Sequence, residues 1–328
     1  MQATEVPPAP GASENSWLTS VAAAVHERVV GQDEAVEGLL IALLTGGHIL
    51  LEGLPGLAKT LMVRTLAEAI DTDFRRIQFT PDLLPTDIVG TPVFDPKSAD
   101  FRIHKGPIFS NIILADEINR APPKVQAALL EAMEERQVTI AGETYALGNP
   151  FMVLATQNPV ELHGTYPLAE AQLDRFALKL EIGYPTREQE KTIVSRVASG
   201  KPIPIEAVGT VEQILADRER VAAVHLEEKI LDYIVDLTFA TRNPSAYGLH
   251  DLEDLIEFGA SPRATIFLTR TSRARAYLHG RNYVLPDDVK AMAPAVMRHR
   301  LKTTYEADAR RIDAEEVIRR VLATVPSP

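Results

Sequence analysis

The sequence contains no cysteine, so disulfide bonds, cysteine-ligated zinc and thiol catalysis are all excluded. It is also poor in aromatic residues, which make up 6% of the chain. Basic side chains number 34 and acidic ones 45, which gives a formal net charge of −11. A protein this acidic is not expected to bind nucleic acid over its whole surface, although a local basic groove stays open as an alternative.

Long apolar runs are absent as well. The longest, Leu39–Leu44, stops at Thr45-Gly46-Gly47 and is far shorter than the roughly 20 residues that a membrane helix needs. The first sixteen residues contain three prolines and two glutamates, with no basic start and no apolar core. They resemble neither a secretion signal nor a transit peptide. We therefore expect a flexible tail over residues 1–16, no membrane span and a cytoplasmic protein.

The remaining chain, long enough for two domains, begins with alternating buried-type strands and amphipathic helices. The predicted strands are 48–52, 74–79, 111–115, 151–156 and 176–182, and the predicted helices are 17–30, 33–44, 61–70 and 124–135. This alternation predicts an α/β fold with a parallel sheet and helices on both faces. The segment 81–90 is rich in turn residues. Two hairpins, Val93–His104 and Val138–Leu147, are predicted as insertions.

The pattern changes at Gly183-Tyr184-Pro185. Thr186 and Gln189 have the spacing of a capping box and predict the start of a helix. From there to the end the sequence favours helices and predicts no strand. We therefore expect an α/β domain over 17–185, followed by a smaller all-α domain over 186–328.

Glycines and a Lys-Thr pair follow the first predicted strand, in the order Gly53-Leu54-Pro55-Gly56-Leu57-Ala58-Lys59-Thr60. This layout is typical of a phosphate-binding P-loop, whose backbone N–H groups surround the phosphates of ATP or ADP. Lys59 would reach the β- and γ-phosphates and Thr60 would bind Mg²⁺. The strict pattern has glycine in place of Ala58, and we expect alanine to be tolerated there if the position has helical φ/ψ, because the Cβ penalty applies only at positive φ. Taken alone, the segment also fits an ordinary strand–turn–helix corner.

Polar residues end two later strands. Asp116 and Glu117 follow the apolar run Ile112–Ala115, and Asn158 follows 151–156. At the carboxyl edge of a parallel sheet, Asp116 would support Mg²⁺, Glu117 would take a proton from the attacking water, and Asn158 would orient that water. The alternatives are a helix N-terminus for the acidic pair and a simple turn for Asn158-Pro159.

Three arginines are candidates for a role in hydrolysis. Arg175 precedes the strand 176–182 and would face the γ-phosphate of a neighbouring subunit if the protein forms rings. Arg120 is a weaker candidate for the same role. Arg263 follows Ser261-Pro262, which predicts a helix start in the second domain, and it could fold back onto the nucleotide. Each could instead be a surface charge.

With these elements in order, nearly everything after the tail resembles the MoxR family of AAA+ ATPases. The resemblance assigns Val29-Val30-Gly31-Gln32 to the segment against adenine, Gly53–Thr60 with the following Leu61 to Walker A, and Asp116-Glu117 to Walker B. It also assigns Asn158 to sensor 1, Arg175 to the arginine finger and Arg263 to sensor 2. Ala58 before the lysine is similar to the family's form of Walker A. The stretch 164–176 is the part most specific to the family.

The resemblance implies more than the residues themselves indicate. It implies an AAA+ core followed by a helical lid, and a homo-oligomer, typically a hexameric ring, that hydrolyses ATP at subunit interfaces. It also implies chaperone-like activation of a protein substrate, often with a partner that carries a von Willebrand factor A domain. The two predicted hairpins match insertions of this clade, and we take them as candidate surfaces for the substrate protein.

Three other functions stay open at this stage. The first is a nucleic-acid-acting motor of the same fold, which the acidic balance disfavours. The second is a nucleotide-binding scaffold without hydrolysis, which the complete set of polar residues disfavours. The third is a small-molecule kinase, which the Asp-Glu pair disfavours because it fits activation of water better.

Overall fold

The computed structural model describes residues 16–97, 99–158, 164–198 and 203–328. The predicted tail over 1–16, apart from Ser16, lies outside the described residues. The chain forms two compact units, one containing residues 17–176 with 180–215 and the other 177–179 with 216–328. Among the described residues, none of the helices combines the length and the apolar character that crossing a lipid bilayer requires.

Helices and strands alternate along the first part of the chain. In chain order they are α1 (Ser16–Arg28), α2 (Asp33–Thr45), β1 (Ile49–Gly53), α3 (Lys59–Ala69), β2 (Phe74–Gln78), α4 (Pro85–Val89), β3 (Gly90–Asp95), β4 (Asp100–Lys105), β5 (Ile112–Asp116), α5 (Pro123–Glu135), β6 (Gln137–Ile140), β7 (Glu143–Ala146), β8 (Met152–Gln157), α6 (Glu170–Leu173), β9 (Leu178–Ile182) and α7 (Arg187–Ala198). Short 3₁₀ turns cover Pro107–Phe109 and Ile118–Arg120.

The later part of the chain is mainly helical. Its elements are α8 (Val211–Ala223), α9 (Glu228–Arg242), β10 (Ile256–Phe258), α10 (Pro262–Leu278), α11 (Pro286–Met297), β11 (Lys302–Thr303), α12 (Tyr305–Ala309) and α13 (Ala314–Thr324), with 3₁₀ turns at Pro244–Tyr247 and His250–Leu252. The predicted start of α10 is confirmed, since Ser261 Oγ accepts a hydrogen bond from the Arg263 backbone N–H at 3.1 Å.

The central sheet of the described chain has the strand order β2-β5-β8-β1-β9. Strand pairs β2–β5, β5–β8 and β8–β1 are parallel, so the prediction of a parallel α/β sheet is confirmed. Strands β5 and β8 are buried along their length except for the last residue of each. The register brings Ala115 opposite Ala155 and Gln78 opposite Asp116. The polar ends of three strands therefore meet at one edge.

Both predicted hairpins are confirmed as antiparallel pairs, β3 with β4 and β6 with β7. The second hairpin turns through Ala141 and Gly142, which have φ of +51° and +88°. Positive φ at both central residues matches a turn whose twist suits the flanking strands. In the first hairpin, the predicted turn 95–98 includes Ser98, which lies outside the described residues.

Two local predictions were incomplete. The segment 81–90, predicted only as turn-rich, contains the helix α4, where the Asp87 carboxylate accepts from the Leu84 N–H at 2.8 Å and Ile88 is buried. The later part of the chain, predicted without strands, contains the antiparallel pair β10–β11. Elements of two to five residues are too short to show a periodicity, so pattern analysis misses them.

The compact units divide the chain later than the predicted boundary at 185/186. Residues 180–215, including α7, belong with the α/β unit. Arg196 of α7 donates to the backbone carbonyls of His26 and Glu27 at 2.9 and 2.6 Å, close to the C-terminal end of α1. Helix ends leave carbonyls without helical partners, and an arginine side chain satisfies them. This contact ties α7 to the α/β unit.

His48, just before β1, is a buried polar residue that supports the sheet. Its Nδ1 accepts the Val153 backbone N–H at 3.0 Å, and its Nε2 lies 3.1 Å from the Met133 carbonyl oxygen. Because one nitrogen must accept and the other must donate, these partners require a neutral ring with the proton on Nε2. The histidine thus satisfies two buried backbone groups on neighbouring elements.

His48→Ala should lower the free energy of unfolding by about 2–5 kcal/mol, because it leaves a buried N–H and a buried carbonyl without their partner. Urea denaturation monitored by circular dichroism would measure the change. His250→Ala, at an exposed position, is the control and should stay within about 0.5 kcal/mol. Equal effects of the two substitutions would contradict the role assigned to His48.

Candidate active site

The loop between β1 and α3 depends on two glycines. Gly56 has φ of +84°, a conformation that side chains with a Cβ disfavour. Gly53 is needed for a different reason, because a Cβ there would lie 2.7 Å from the carbonyl oxygen of Ile182. Gly56 therefore lets the chain turn, and Gly53 lets two backbones approach closely.

Ala58 does not meet the condition of helical φ/ψ under which alanine was expected to be tolerated. Ala58 has φ 58° and ψ 18°, in the left-handed region, and α3 starts at the next residue. Its carbonyl oxygen already accepts the N–H of Met62 at 2.9 Å, so Ala58 caps the helix from a strained conformation. The loop has to reverse before it enters the helix, and the left-handed residue makes that reversal. An alanine there costs about 1–2 kcal/mol relative to its preferred conformation.

Lys59 points back across the loop that it ends. Its Nζ donates to the Gly53 carbonyl oxygen at 2.6 Å. Burial lowers the pKa of Lys59, while the carboxylates of Asp116, Glu117 and Glu52 act in the opposite direction. The ammonium group therefore lies near the carboxylates that sequence analysis assigned to the same site.

Thr156, at the end of β8, holds the acidic pair in place. Its hydroxyl donates to Asp116 Oδ1 at 2.6 Å and accepts the backbone N–H of Glu117 at 2.8 Å. Glu117 itself has φ 57° and ψ 50°. The chain thus turns sharply after β5 through a left-handed glutamate whose backbone is fixed by the neighbouring strand. Strained residues of this kind persist where the surrounding structure determines them.

Strand β2 contributes two side chains that sequence analysis missed. Arg76 donates to Asp116 Oδ2 from Nε and Nη2 at 2.9 and 2.6 Å. Gln78 accepts from Arg76 Nη2 at 2.6 Å and donates to Glu117 Oε2 at 2.7 Å. The signal that could have found them is the period of two, which places residues 76 and 78 on one face of β2 near its carboxyl end.

The three candidate arginines lie in different surroundings. Arg120 Nη1 lies 3.4 Å from Glu117 Oε2, next to the acidic pair of its own chain. Arg175 Nε contacts Glu134 Oε2 of α5 at 2.9 Å, and about a third of each side chain is exposed. Arg263 lies in the first turn of α10, in the other compact unit. A role for any of them in hydrolysis stays a prediction.

Most of the predicted site residues share one cavity. Its volume is about 430 Å³, and it is lined by Pro55, Gly56, Leu57, Ala58, Lys59, Thr60, Leu61, Arg76, Asp116, Glu117, Thr156 and Asn158. The predicted adenine segment lies before α2, where Val30 is half-buried and Gly31 has φ of +72°. A Cβ on Gly31 would come within 2.5 Å of Gln189 Nε2, so the backbone approaches α7 closely there.

The donor atoms in this cavity suit a nucleotide with Mg²⁺. Thr60, which has a hydroxyl, and Asp116, which has a carboxylate, both line the cavity, and Mg²⁺ prefers oxygen ligands. In nucleotide sites it is usually held by one or two protein oxygens together with phosphate oxygens and water. The N-terminal end of α3 faces the same cavity, and a helix N-terminus favours bound phosphate.

Known proteins resemble this chain over most of its length. The model of the ATPase family associated with various cellular activities (AAA) matches residues 48–178, and the AAA lid domain model matches residues 251–321. Chaperone MoxR1 of Mycobacterium tuberculosis is 48% identical over 304 residues, covering 93% of this chain and 80% of the relative. The chain belongs to the MoxR family. Protein MoxR of Methylorubrum extorquens is 32% identical and covers 93% of both chains.

A solved structure supports the fold of this MoxR-family protein over almost its whole length. A crystal structure from Cytophaga hutchinsonii superimposes with a TM-score of 0.91 at 47% sequence identity, covering 96% of each chain. The predicted AAA+ core followed by a helical lid is therefore confirmed.

Ala58→Gly should raise the free energy of unfolding by about 1 kcal/mol, because glycine adopts the left-handed conformation without the Cβ penalty. Denaturant midpoints of the full chain would measure it. Ala127→Gly, at an exposed helical position of α5, should have the opposite sign at about 1 kcal/mol. Destabilisation by both variants would show that Ala58 is not strained.

Proposed function

We propose that this MoxR-family protein hydrolyses ATP with Mg²⁺ and uses the hydrolysis to remodel or activate a protein partner. The observation that carries the proposal is the single cavity lined by Lys59, Thr60, Asp116, Glu117 and Asn158. Phosphate binding, metal support and activation of water need these side-chain types within reach of one another. The 48% identical relative is named a chaperone, which supports the second half of the proposal.

Each side chain has a distinct part in the proposed reaction. Lys59 exchanges its hydrogen bond with the Gly53 carbonyl for phosphate oxygens, which brings a positive charge to the β- and γ-phosphates. Mg²⁺, when bound through Thr60 and Asp116, would neutralise further charge on the phosphates. Glu117 accepts the proton of the attacking water, and Asn158 orients that water.

We further propose that the active assembly is a homo-oligomeric ring with shared sites. Arg175 is the preferred trans-acting arginine. Arg120 contacts Glu117, the proposed base of its own chain, whereas the ion pair of Arg175 is with Glu134 of α5, away from the acidic pair. The hexameric state, a partner with a von Willebrand factor A domain, and a role for Arg263 as a sensor on the lid follow from family membership and are part of the same proposal.

Specific ATP turnover should rise with protein concentration, because dilution separates subunits that share sites. Arg175→Ala should still bind ATP but lose turnover by on the order of 10³-fold, the usual contribution of an arginine finger. A coupled assay for ADP release over a dilution series measures both effects. Arg187→Ala is the matched control, since Arg187 is 82% exposed and forms an ion pair with its neighbour Glu188.

Two other results would change the proposal. Turnover that is constant with dilution, together with a normal Arg175→Ala variant, would remove the shared sites and the ring. Absence of hydrolysis by the wild type at every concentration would favour a nucleotide-binding scaffold instead.

The hairpin β3–β4 carries an exposed apolar surface that we propose as a contact for the protein substrate. Phe94 and Phe101 are directly opposite each other across the two strands, with ring centroids 5.5 Å apart. They are 51% and 64% exposed, and Val93, on the other face of β3, is 49% exposed. Paired aromatic side chains that remain in solvent are typical of a binding surface.

Deleting Val93–His104 should abolish activation of the partner, and so should the milder double substitution Phe94→Ser with Phe101→Ser. ATP turnover without the partner should stay within about twofold of wild type, because the hairpin is separate from the cavity. Basal and partner-stimulated ATP turnover would be compared. Tyr184→Ser, at another exposed aromatic residue, is the control. Undiminished stimulation in the deletion variant would refute this role of the hairpin.

A further inference from the structure

Arg76 forms an ion pair with the carboxylate proposed to support the metal. Its Nε and Nη2 lie 2.9 and 2.6 Å from the same oxygen, Asp116 Oδ2. The other oxygen, Oδ1, accepts the Thr156 hydroxyl at 2.6 Å. Both oxygens of Asp116 therefore already have donors, and the guanidinium supplies the one full positive charge among these contacts.

The pairing follows from the strand order. β2 lies beside β5, with Arg76 opposite Leu114 and Gln78 opposite Asp116. The long Arg76 side chain extends along the strand to reach Asp116, and it lines the same cavity as Lys59 and Thr60. Half of the Arg76 side chain is exposed, whereas only 14% of Asp116 is exposed. The arginine can thus move into solvent more easily than the carboxylate can.

We infer that Arg76 competes with the divalent cation for Asp116: the guanidinium neutralises the carboxylate when no metal is bound, and metal binding displaces it. This inference rests on the proposed Mg²⁺–nucleotide function.

Charge and geometry both support displacement. A divalent cation at Asp116, bound directly or through one water, would lie close to a guanidinium that occupies Oδ2, and like charges repel strongly in a partly buried site. Without metal, an unpaired carboxylate beside Glu117 would suffer repulsion of its own. The arginine therefore stabilises the metal-free site and lowers its apparent affinity for metal, since binding must first break the ion pair.

The test is the Mg²⁺ dependence of ADP binding by the full chain, measured from the fluorescence of N-methylanthraniloyl-ADP. Mg²⁺ should tighten ADP binding, and the free Mg²⁺ concentration at half of this effect is the quantity compared. In Arg76→Gln this half-effect Mg²⁺ concentration should fall by about tenfold, because the metal no longer displaces a cation. Coupling between two bound groups usually changes an affinity by about 5–150-fold. Arg76→Lys keeps the charge but lacks the planar guanidinium, so its half-effect Mg²⁺ concentration should lie between those of the wild type and Arg76→Gln.

Arg75→Gln is the matched control. It removes the same charge from the adjacent residue of β2, whose side chain projects to the opposite face of the strand, and it should leave the Mg²⁺ dependence unchanged. An unchanged half-effect concentration in Arg76→Gln, or an equal fall in Arg75→Gln, would overturn the inference. A loss of ADP affinity in EDTA with an unchanged Mg²⁺ dependence would make Arg76 a phosphate ligand and would also overturn it.

The same experiment separates this inference from the proposed function. If wild type binds ADP with Mg²⁺ and Arg76→Gln behaves like wild type, only the competition by Arg76 is refuted. If wild type does not bind ADP with or without Mg²⁺, both are refuted.

Discussion

The hydroxyl group of Thr156 joins the two strand ends on which the candidate site depends. It donates to the Asp116 carboxylate at the end of β5 and accepts the backbone N–H of Glu117. A hydroxyl has one proton and two lone pairs, so one side chain can orient the carboxylate and fix the turn that follows it. The burial of β5 and β8 keeps the two strand ends in register. The positions of Lys59, Arg76 and the cavity follow from that edge.

Two residues with a strained backbone lie at the same edge. Ala58 and Glu117 both line the cavity, and both have left-handed backbone conformations. The strain is tolerated because each residue is held by a regular element, α3 in one case and β5 with β8 in the other. Left-handed residues held in this way persist where the surrounding structure determines them.

Much of the candidate site could be predicted from the sequence because its residues follow buried strands. Asp116, Glu117 and Asn158 are polar residues after apolar runs, and the P-loop has its own spacing of glycines before Lys59. Arg76 and Gln78 could not be predicted in this way. In the sequence they are charged and polar residues of a half-exposed strand, which usually face solvent, and only their partners across the sheet distinguish them. The left-handed conformation of Ala58 could not be predicted for a related reason, since φ depends on how the loop meets the helix.

The amino-acid sequence is sufficient for the type and order of most elements, for the parallel character of the sheet and for the strand ends that carry chemistry, because these depend on hydrophobic periodicity and local motifs. The tertiary structure decided the strand order β2-β5-β8-β1-β9 and hence the pairing of Arg76 with Asp116. It also decided that α7 packs with the α/β unit through Arg196. These features depend on contacts between residues distant in the chain, which no local pattern encodes.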